Sequence, residues 1–155
     1  MSVRALAVAA LLLLLPAAGA CGYIPADLYE LTARAAMNHG LPPDILVALV
    51  WVESRYCPNA HGRDGEIGLG QVMPGTARGL GVDPLRLWDP VLNLDTSARY
   101  LSIQYRRFGS WQLALAAYNA GPDRAHNPPW STRQYVVNVL YVYDALRKRR
   151  SLVSK

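Results

Sequence analysis

Residues 42–54, PPDILVALVWVES, are the most informative segment for the fold of this chain. Residues 45–52 are all apolar, so a helix there is hydrophobic on every side and belongs at the centre of a core. Proline suits the first helical position, because the amide hydrogen that it lacks needs no partner there. Helical spacing places a single acid, Glu53, on the same face as Ile45, Leu46 and Leu49. The sequence therefore predicts a buried central helix that ends at an acid.

Apolar residues recur at helical spacing through most of the chain after residue 20, and no stretch combines strand-like alternation with a hairpin turn signal. Residues 57–71 are rich in Gly, Asn, Asp and His and predict a loop, in which Asp64-Gly65 can form a short hairpin. We predict an all-α domain. Its helices are expected at residues 26–39, at 43–53, after Pro74, at 89–108, at 110–119 and at 132–149, the last with Tyr135, Val139, Val142 and Leu146 as its buried face.

The N-terminus has the pattern of a secretory signal peptide. Arg4 precedes an apolar run over residues 5–15, which is too short for the helix of about 20 residues that spans a bilayer. Ala18-Gly19-Ala20 then supplies a site that signal peptidase accepts. An uncleaved anchor is the alternative. We predict a signal peptide at residues 1–20, one catalytic domain at 21–150 and a tail at 151–155, with export to the periplasm or the exterior.

The chain has two cysteines, Cys21 and Cys57. An even pair in a small exported domain is most simply a disulfide. Cleavage after Ala20 also makes Cys21 the first mature residue, and lipidation there would tether the protein to a membrane. The residue three positions before it is Ala18, where lipoprotein signals usually carry a large aliphatic side chain, and this disfavours a tether.

The chain carries 16 Lys and Arg against 11 Asp and Glu, an excess that predicts attraction to polyanions such as cell-wall polymers and anionic lipids. Export argues against nucleic acid as a partner. The basic run from Arg147 to Arg150 is typical of a solvated helix end that complements the helix dipole. A membrane-active cationic protein that works through this run is an alternative, and its action would not depend on Glu53.

Two physical effects raise the pKa expected for Glu53. Apolar neighbours desolvate the carboxyl, and the partial negative charge at a helix C-terminus disfavours a carboxylate. A carboxyl that stays protonated near neutral pH is what a general acid requires. The alternative is an ordinary helix-end acid that lies at the solvent rim or pairs with Arg55 or another arginine.

Three motifs in a fixed order weigh against that ordinary interpretation. They are ESRY at residues 53–56, GLGQVMPGTA at 68–77 and AAYNAG at 116–121. Together they resemble the soluble lytic transglycosylase family, which has a lysozyme-like α fold. Each motif alone is weak, whereas the ordered set is specific. The resemblance extends from the helix before Glu53 to Tyr135-Val136, with Asn93 and Tyr100-Leu101 also fitting.

The resemblance implies a substrate and a reaction. Glu53 would protonate the glycosidic oxygen between N-acetylmuramic acid and N-acetylglucosamine, and would then take a proton from the muramyl 6-hydroxyl to give a 1,6-anhydro product. One carboxylate suffices for this reaction, whereas an ordinary glycosidase needs two. The small size also resembles members that open the wall for secretion, conjugation or pilus machinery.

The motifs supply residues for glycan binding. Gln71 can hydrogen-bond a sugar amide, and Met73 can pack on a sugar face. The resemblance implies that the Tyr118 hydroxyl contacts the catalytic acid. It also places three further residues at the site: Ser54, Asn119 and Tyr135. The alternatives are core aromatics for the two tyrosines and a local backbone partner for the serine.

The sequence departs from the family at two positions. Glu66 stands where a small residue is usual, and Gly70 stands where methionine is common. Glu66 and Asp64 would bring further carboxylates to the cleft, and two suitably separated acids can position water, which would make the protein a hydrolytic muramidase. Solvated loop acids are the simpler interpretation.

No cofactor is expected from this sequence. The three histidines are not spaced as metal ligands, and the two cysteines form no CxxC motif. A non-catalytic glycan-binding module is a further alternative, against which the joint presence of Glu53, Gln71 and Tyr118 argues. A monomer is the default expectation.

Overall fold

The computed structural model describes residues 21–153, and the predicted signal peptide lies outside them. Within these residues the only β pairing is two isolated bridges, His61 with Ile67 and Ile67 with Val72. The prediction of an all-α fold is confirmed. The helices are α1 (Ala26–Asn38), α2 (Pro43–Ser54), α3 (Pro74–Gly79), α4 (Pro90–Phe108), α5 (Trp111–Ala120) and α6 (Trp130–Val153), with 3₁₀ helices at Pro84–Trp88 and Pro122–Arg124.

Helix α2 forms the centre of the core, as its sequence predicts. Every side chain from Ile45 to Val50 is fully buried, and each Ile, Leu or Val among them stabilises the fold by about 2 kcal/mol. Helices α1 and α6 pack directly against α2. Leu94 and Leu101 of α4 and Leu115 of α5 complete the same apolar cluster. The surrounding helices thus hold α2, and the acid near its end, in a fixed position.

Two predicted helix starts are confirmed at α4 and α5. The Asp89 carboxylate accepts hydrogen bonds from the first amides of α4, and the Ser110 hydroxyl accepts one from the Leu113 amide in α5. These caps satisfy amides that have no partner inside the helix. Gly109 lies between the two helices with φ 64°, a left-handed conformation that glycine adopts at little cost.

The predicted buried face of α6 was correct only in part. Val139 is fully buried and Tyr135 nearly so, but Val142 and Leu146 remain partly exposed. Tyr143 is buried in their place, and so is Val136. Because α6 packs against both α2 and α5, its buried surface is wider than one stripe.

Helix α6 is also longer than predicted, running from Trp130 to Val153. Near its end the Arg150 guanidinium pairs with Asp44, in the first turn of α2, at 2.5 Å. The Arg147 guanidinium lies 5.5 Å from the Tyr143 ring centre. The basic run is therefore partly engaged in contacts within the domain.

The predicted disulfide between Cys21 and Cys57 is present, with 4.9 Å between the Cα atoms. Beside it, the Gly22 amide donates to the Arg55 carbonyl at 2.9 Å. The bond ties the start of the described chain to the segment that leaves α2. A sulfur in a disulfide cannot also carry a thioether-linked lipid, so this bond and a lipid tether exclude each other. No helix in residues 21–153 has the length and apolar character needed to cross a membrane.

Candidate active site

The last turn of α2 places Glu53 in the wall of a cleft of about 340 Å³. Arg55 and Tyr56 follow in the left-handed region, at φ 54° and 60°, and end the helix directly after Ser54. Tyr56 is buried and donates its hydroxyl to Thr32 at 3.3 Å. Glu53 is therefore held between a buried helix and an anchored turn.

The cleft is acidic, although the whole chain carries a formal charge of +5. Three carboxyl groups line it, from Glu53, Asp64 and Glu66, and none of the described Lys or Arg residues does. No group of three His, Cys, Asp or Glu side chains within residues 21–153 is arranged to hold a metal ion. The remaining lining residues are Gln71, Met73, Thr76, Tyr100, Tyr118, Asn119, Ala120 and Gly121.

Burial raises the pKa of Glu53 from its ordinary value of 4.5 to about 8. The Tyr135 hydroxyl lowers this pKa, and the negative charge of Glu66 raises it. That hydroxyl is itself buried without a hydrogen bond of standard geometry, yet it lies close enough to act on the carboxyl. At neutral pH most Glu53 carboxyls therefore carry a proton that they can give to a ligand.

A glycine-rich loop beside Glu53 is held by Asn93, which is buried in α4. The Asn93 Nδ2 donates to the carbonyls of Ile67 and Leu87 at 2.8 and 2.9 Å. Its Oδ1 accepts a hydrogen bond from the Gly70 amide at 2.8 Å. A Cβ at Gly68, where φ is 74°, would lie 2.4 Å from Asn93 Nδ2, so this approach requires glycine.

Gly70, where the sequence departs from the family pattern, is packed against Ser97 and Tyr118. A Cβ there would lie 1.9 Å from Ser97 Oγ. The Tyr118 hydroxyl donates to the Gly70 carbonyl at 2.7 Å. The resemblance had implied that this hydroxyl contacts the catalytic acid. Its one hydrogen is instead donated to the loop. Burial and the neighbouring Glu53 charge both raise the pKa of Tyr118, so the ring still lies near the acid.

Tyr135 is the tyrosine whose hydroxyl acts on Glu53. It comes from α6, is buried and does not line the open cleft. Burial raises the pKa of Tyr135 well above its ordinary value, and the charges of Glu53 and Tyr118 raise it further. The hydroxyl therefore keeps its proton and is available to stabilise a Glu53 carboxylate.

Gln71 lines the cleft with its amide already oriented. Its Nε2 donates to the carbonyls of Ala60 and Gly68 at 3.2 and 2.9 Å. These two bonds use both amide hydrogens, so Oε1 is the atom left for a ligand. The backbone at Gln71 has φ 49°, a left-handed conformation that turns the side chain back over its own loop.

The other predicted binding residues divide between the cleft and the interior. Met73 and Asn119 line the cleft, and the Asn119 Oδ1 accepts a hydrogen bond from the Thr132 hydroxyl at 2.7 Å. Ser54 is buried, and its hydroxyl donates to the Val50 carbonyl at 3.3 Å. Ser54 is thus a partner of the local backbone, which was the alternative interpretation of this residue.

The predicted hairpin at Asp64-Gly65 forms and holds Glu66 in the cleft. The Gly62 amide donates to the Glu66 carbonyl at 2.8 Å, and the Asp64 amide donates to Glu66 Oε2 at 3.0 Å. A Cβ at Gly62 would lie only 1.9 Å from the same Oε2. The Glu66 carboxylate therefore occupies the space that a side chain at position 62 would fill.

The Transglycosylase SLT domain family matches residues 30–135, from α1 to Tyr135 in α6. The chain belongs to this family. It is 32% identical over 136 residues to the X polypeptide of Escherichia coli K12, across 81% of this chain and 78% of that protein. It is 32% identical over 144 residues to the soluble lytic murein transglycosylase of the same strain, across 75% of this chain and 22% of that protein.

The fold of this SLT domain is similar to that of a solved lytic transglycosylase, Slt from Pseudomonas aeruginosa. The TM-score is 0.71 at 31% sequence identity, over 79% of this chain and 24% of that one. The comparison confirms the fold that the three motifs implied.

The cleft of this SLT domain contains residues to which the sequence had assigned no role. Thr76 and Tyr100 line it, and the Tyr100 ring centre lies 5.3 Å from that of Tyr118. The part played by Asn93 as the clamp of the loop was also missed. A signal was present, because helical spacing puts Asn93 on one face with Ser97 and Leu101, and an amide on a buried face needs partners.

Proposed function

We propose that this lytic transglycosylase cleaves peptidoglycan between N-acetylmuramic acid and N-acetylglucosamine and forms a 1,6-anhydromuramoyl end. Family membership makes it a peptidoglycan lytic transglycosylase. The observation that carries the choice of acid is the Glu53 carboxyl in the cleft, with a pKa of about 8. The solved Pseudomonas relative, described as an inactive mutant with glutamine in place of a glutamate, adds support for one essential acid.

In the proposed mechanism one carboxyl group serves two steps in turn. Glu53 gives its proton to the glycosidic oxygen as the bond from that oxygen to C1 of the muramic acid breaks. The Glu53 carboxylate then accepts the proton of the muramyl 6-hydroxyl, whose oxygen attacks C1 and closes the anhydro ring. The substrate's acetamido oxygen can stabilise C1 between the steps, so no second protein carboxylate is needed.

The side chains around Glu53 can stabilise its ionised form and bind the sugar beside it. The Tyr135 hydroxyl stabilises the carboxylate formed in the first step, which then takes the proton of the muramyl 6-hydroxyl in the second step. The free Oε1 of Gln71 matches the N–H of an acetamido group, and Met73 offers a flat apolar contact to a sugar ring. Asn119 has its Oδ1 engaged, so its amide hydrogens are the part left for sugar hydroxyls.

The test is mass spectrometry of purified peptidoglycan digested by residues 21–155, with the Glu53→Gln protein digested in parallel. We expect anhydromuropeptides from the first protein and none from the second. Reducing muropeptides would replace the proposal with hydrolysis, and digestion that survives in Glu53→Gln would remove Glu53 from the mechanism.

Hydrolysis is a second candidate because Asp64 and Glu66 line the same cleft as Glu53. A muramidase would use one of them to activate water on the far side of the scissile bond. In that case Glu66→Gln or Asp64→Asn would abolish cleavage as completely as Glu53→Gln does. For the transglycosylase, both variants keep the anhydro product, and only the rate changes.

We also propose that the protein is made with residues 1–20 as a signal peptide and acts outside the cytoplasm as a monomer. The disulfide and the peptidoglycan substrate support that location. A role in opening the wall for a secretion, conjugation or pilus machine is proposed from the small size of this chain, 155 residues. To test that role, the gene is deleted, and secretion, conjugation and pilus formation are measured separately. The same measurements are repeated after the Glu53→Gln protein is supplied to the deletion strain.

A further inference from the structure

A second groove lies on the other side of the last turn of α2, between α2 and α6. Its volume is about 390 Å³, similar to that of the catalytic cleft. Its walls are mostly apolar or aromatic, and its lining contains one cation, one amide and no carboxyl group. The lining residues are Trp51, Val52, Arg55, Asn138, Tyr141 and Val142.

The cation of this groove is held in place and has no acidic partner among residues 21–153. The Arg55 guanidinium lies 4.7 Å from the centre of the Trp51 ring, which is the geometry of a cation–π contact. The described ion pairs all involve other residues. Arg55 also keeps a left-handed backbone, φ 54°, which costs energy for a residue other than glycine. A guanidinium stacked in this way still offers its edge to a carboxylate.

The lining fits a peptide better than a sugar. A sugar ring carries several hydroxyl groups, and only three polar side chains of this groove can meet them: Arg55, Asn138 and Tyr141. A short peptide needs an amide partner for its backbone, apolar walls for its methyl groups and a cation for its carboxylate, and the groove has all three. Tyr141 is 77% exposed and Asn138 is exposed too, so a ligand can reach both.

We propose that this groove, which we call the stem groove, binds the carboxylate-bearing peptide stems of peptidoglycan. The inference rests on the proposed function, because each muramic acid that reaches Glu53 can carry such a stem. The cleft and the stem groove lie on either side of the last turn of α2. Every muramic acid along a glycan strand can carry a stem, so a strand bound in the cleft brings stems to the surface around that turn.

The charges of the two sites favour this division. The cleft carries acids and repels a peptide carboxylate, whereas the stem groove presents Arg55 without a competing acid. Contact with the stem would add binding energy to the glycan and select for strands that still carry their peptides.

The first test measures binding of acetyl-D-alanyl-D-alanine and of its C-terminal amide to the Glu53→Gln protein by NMR titration. Glu53→Gln prevents turnover and lies outside the groove lining. We expect the acid to bind at least about tenfold more tightly than the amide, because a charge-assisted hydrogen bond is lost in the amide. Adding Arg55→Asn should remove the difference, and asparagine tolerates the left-handed backbone. Arg149→Gln, which removes an exposed charge elsewhere, should leave the difference unchanged.

The proposal is overturned if neither peptide binds, if acid and amide bind alike, or if Arg55→Asn has no more effect than Arg149→Gln. Tyr141→Ala gives an independent check, because an exposed side chain can be removed without unfolding the domain; it should weaken both peptides equally.

A second test compares cleavage of intact peptidoglycan with cleavage of glycan strands from which an amidase has removed the peptides. We expect kcat/KM to favour the intact polymer, and the ratio of the two values to fall about tenfold in Arg55→Asn. Failure of the proposed function would appear as no cleavage of either polymer, while the peptide titration would still report on the stem groove. An equal ratio in Arg55→Asn and in the unchanged protein would count against the groove alone.

Discussion

The two sides of the last turn of α2 differ in charge and in the ligand that each suits. The cleft side has Glu53 among further acids, and the stem-groove side has Arg55 among aromatic side chains. Trp51 and Glu53 are two residues apart, and at 3.6 residues per turn they point to nearly opposite faces. A formal charge of +5 for the whole chain therefore describes neither site. The last turn of α2 and the left-handed residue that follows it place an acid and a cation close together in sequence and on separate surfaces.

Replacing Glu53 should abolish the activity of the cleft side and leave the stem-groove side intact. Glu53→Gln should lower the rate of peptidoglycan cleavage by about 10³-fold, because a general acid typically supplies 10²–10⁴. Peptide binding in the stem groove should stay the same. The rate of muropeptide release and the peptide titration check the two halves of this prediction. Glu30→Gln, at an exposed acid in α1, is the matched control and should change neither. Loss of both functions in Glu53→Gln would show that the sides are not independent.

The disulfide supports both sides, so its removal should weaken both. Cys21→Ser with Cys57→Ser frees a loop with a sequence separation of 36 and should lower the free energy of unfolding by about 3–4 kcal/mol. For a domain of this size the melting temperature should fall by roughly 10 °C. Thermal denaturation with and without reductant measures the effect, and the double variant should not respond to reductant. A melting temperature close to that of the unchanged protein would show that the hydrogen bonds near Arg55 suffice.

Asn93→Ala should damage the cleft side alone. The change leaves two buried carbonyl groups and one buried amide without partners, which should cost about 3 kcal/mol and loosen the loop that carries Gln71. Urea denaturation and the rate of cleavage measure the two consequences. Asn138→Ala, at the exposed amide of the stem groove, is the control and should cost little stability. A stable, fully active Asn93→Ala protein would contradict the role of Asn93 as the clamp of the loop.

The smallest expected effects are opposite shifts in the pH dependence of cleavage. Glu53 must be protonated to act as an acid, so kcat/KM should be steady near neutral pH and fall as the pH rises through about 8. Glu66→Gln removes a charge that raises the pKa of Glu53 and should move this fall to lower pH. Tyr135→Phe removes a hydroxyl that lowers the same pKa and should move it to higher pH, with a lower maximum rate.

The control for these shifts is Asp64→Asn, since Asp64 lines the cleft, whereas the side chains that shift the pKa of Glu53 are Tyr135 and Glu66. The pH–rate profiles of the four proteins should therefore give three different positions of the alkaline fall. Movement of both variants in the same direction would contradict the assignment of Glu66 and Tyr135 to opposite effects.

The helical frame could be predicted from the sequence because its signals are local. An apolar run marks α2, and caps at Asp89 and Ser110 mark α4 and α5. The extent of α6 was less accessible, because it depends on a pairing between Arg150 and Asp44, which are distant in sequence. The burial of Tyr143 instead of Val142 likewise depends on packing between helices, which periodicity along one helix does not contain.

The position of Glu53 in the cleft and most of the cleft lining were also accessible, through the motifs around Glu53, Gln71 and Tyr118. The hydrogen-bond partners were not, because the same residue type can serve several purposes. Tyr118 supports the Gly70 carbonyl, and Tyr135, which the resemblance placed at the site without a specific role, acts on Glu53. Which hydroxyl reaches which acceptor is decided by a few tenths of an ångström in the folded loop, and sequence spacing does not resolve that distance.

The close contacts at the two small residues of the cleft loop restrict how this sequence can change over evolution. A side chain at Gly62 would overlap the Glu66 carboxylate, and a side chain at Gly70 would overlap Ser97. A side chain at position 62 therefore requires the Glu66 carboxylate to swing away or to be replaced by a smaller residue. Methionine at position 70 likewise requires a smaller residue at position 97. Homologues with a larger residue at position 70 should carry a smaller one at position 97.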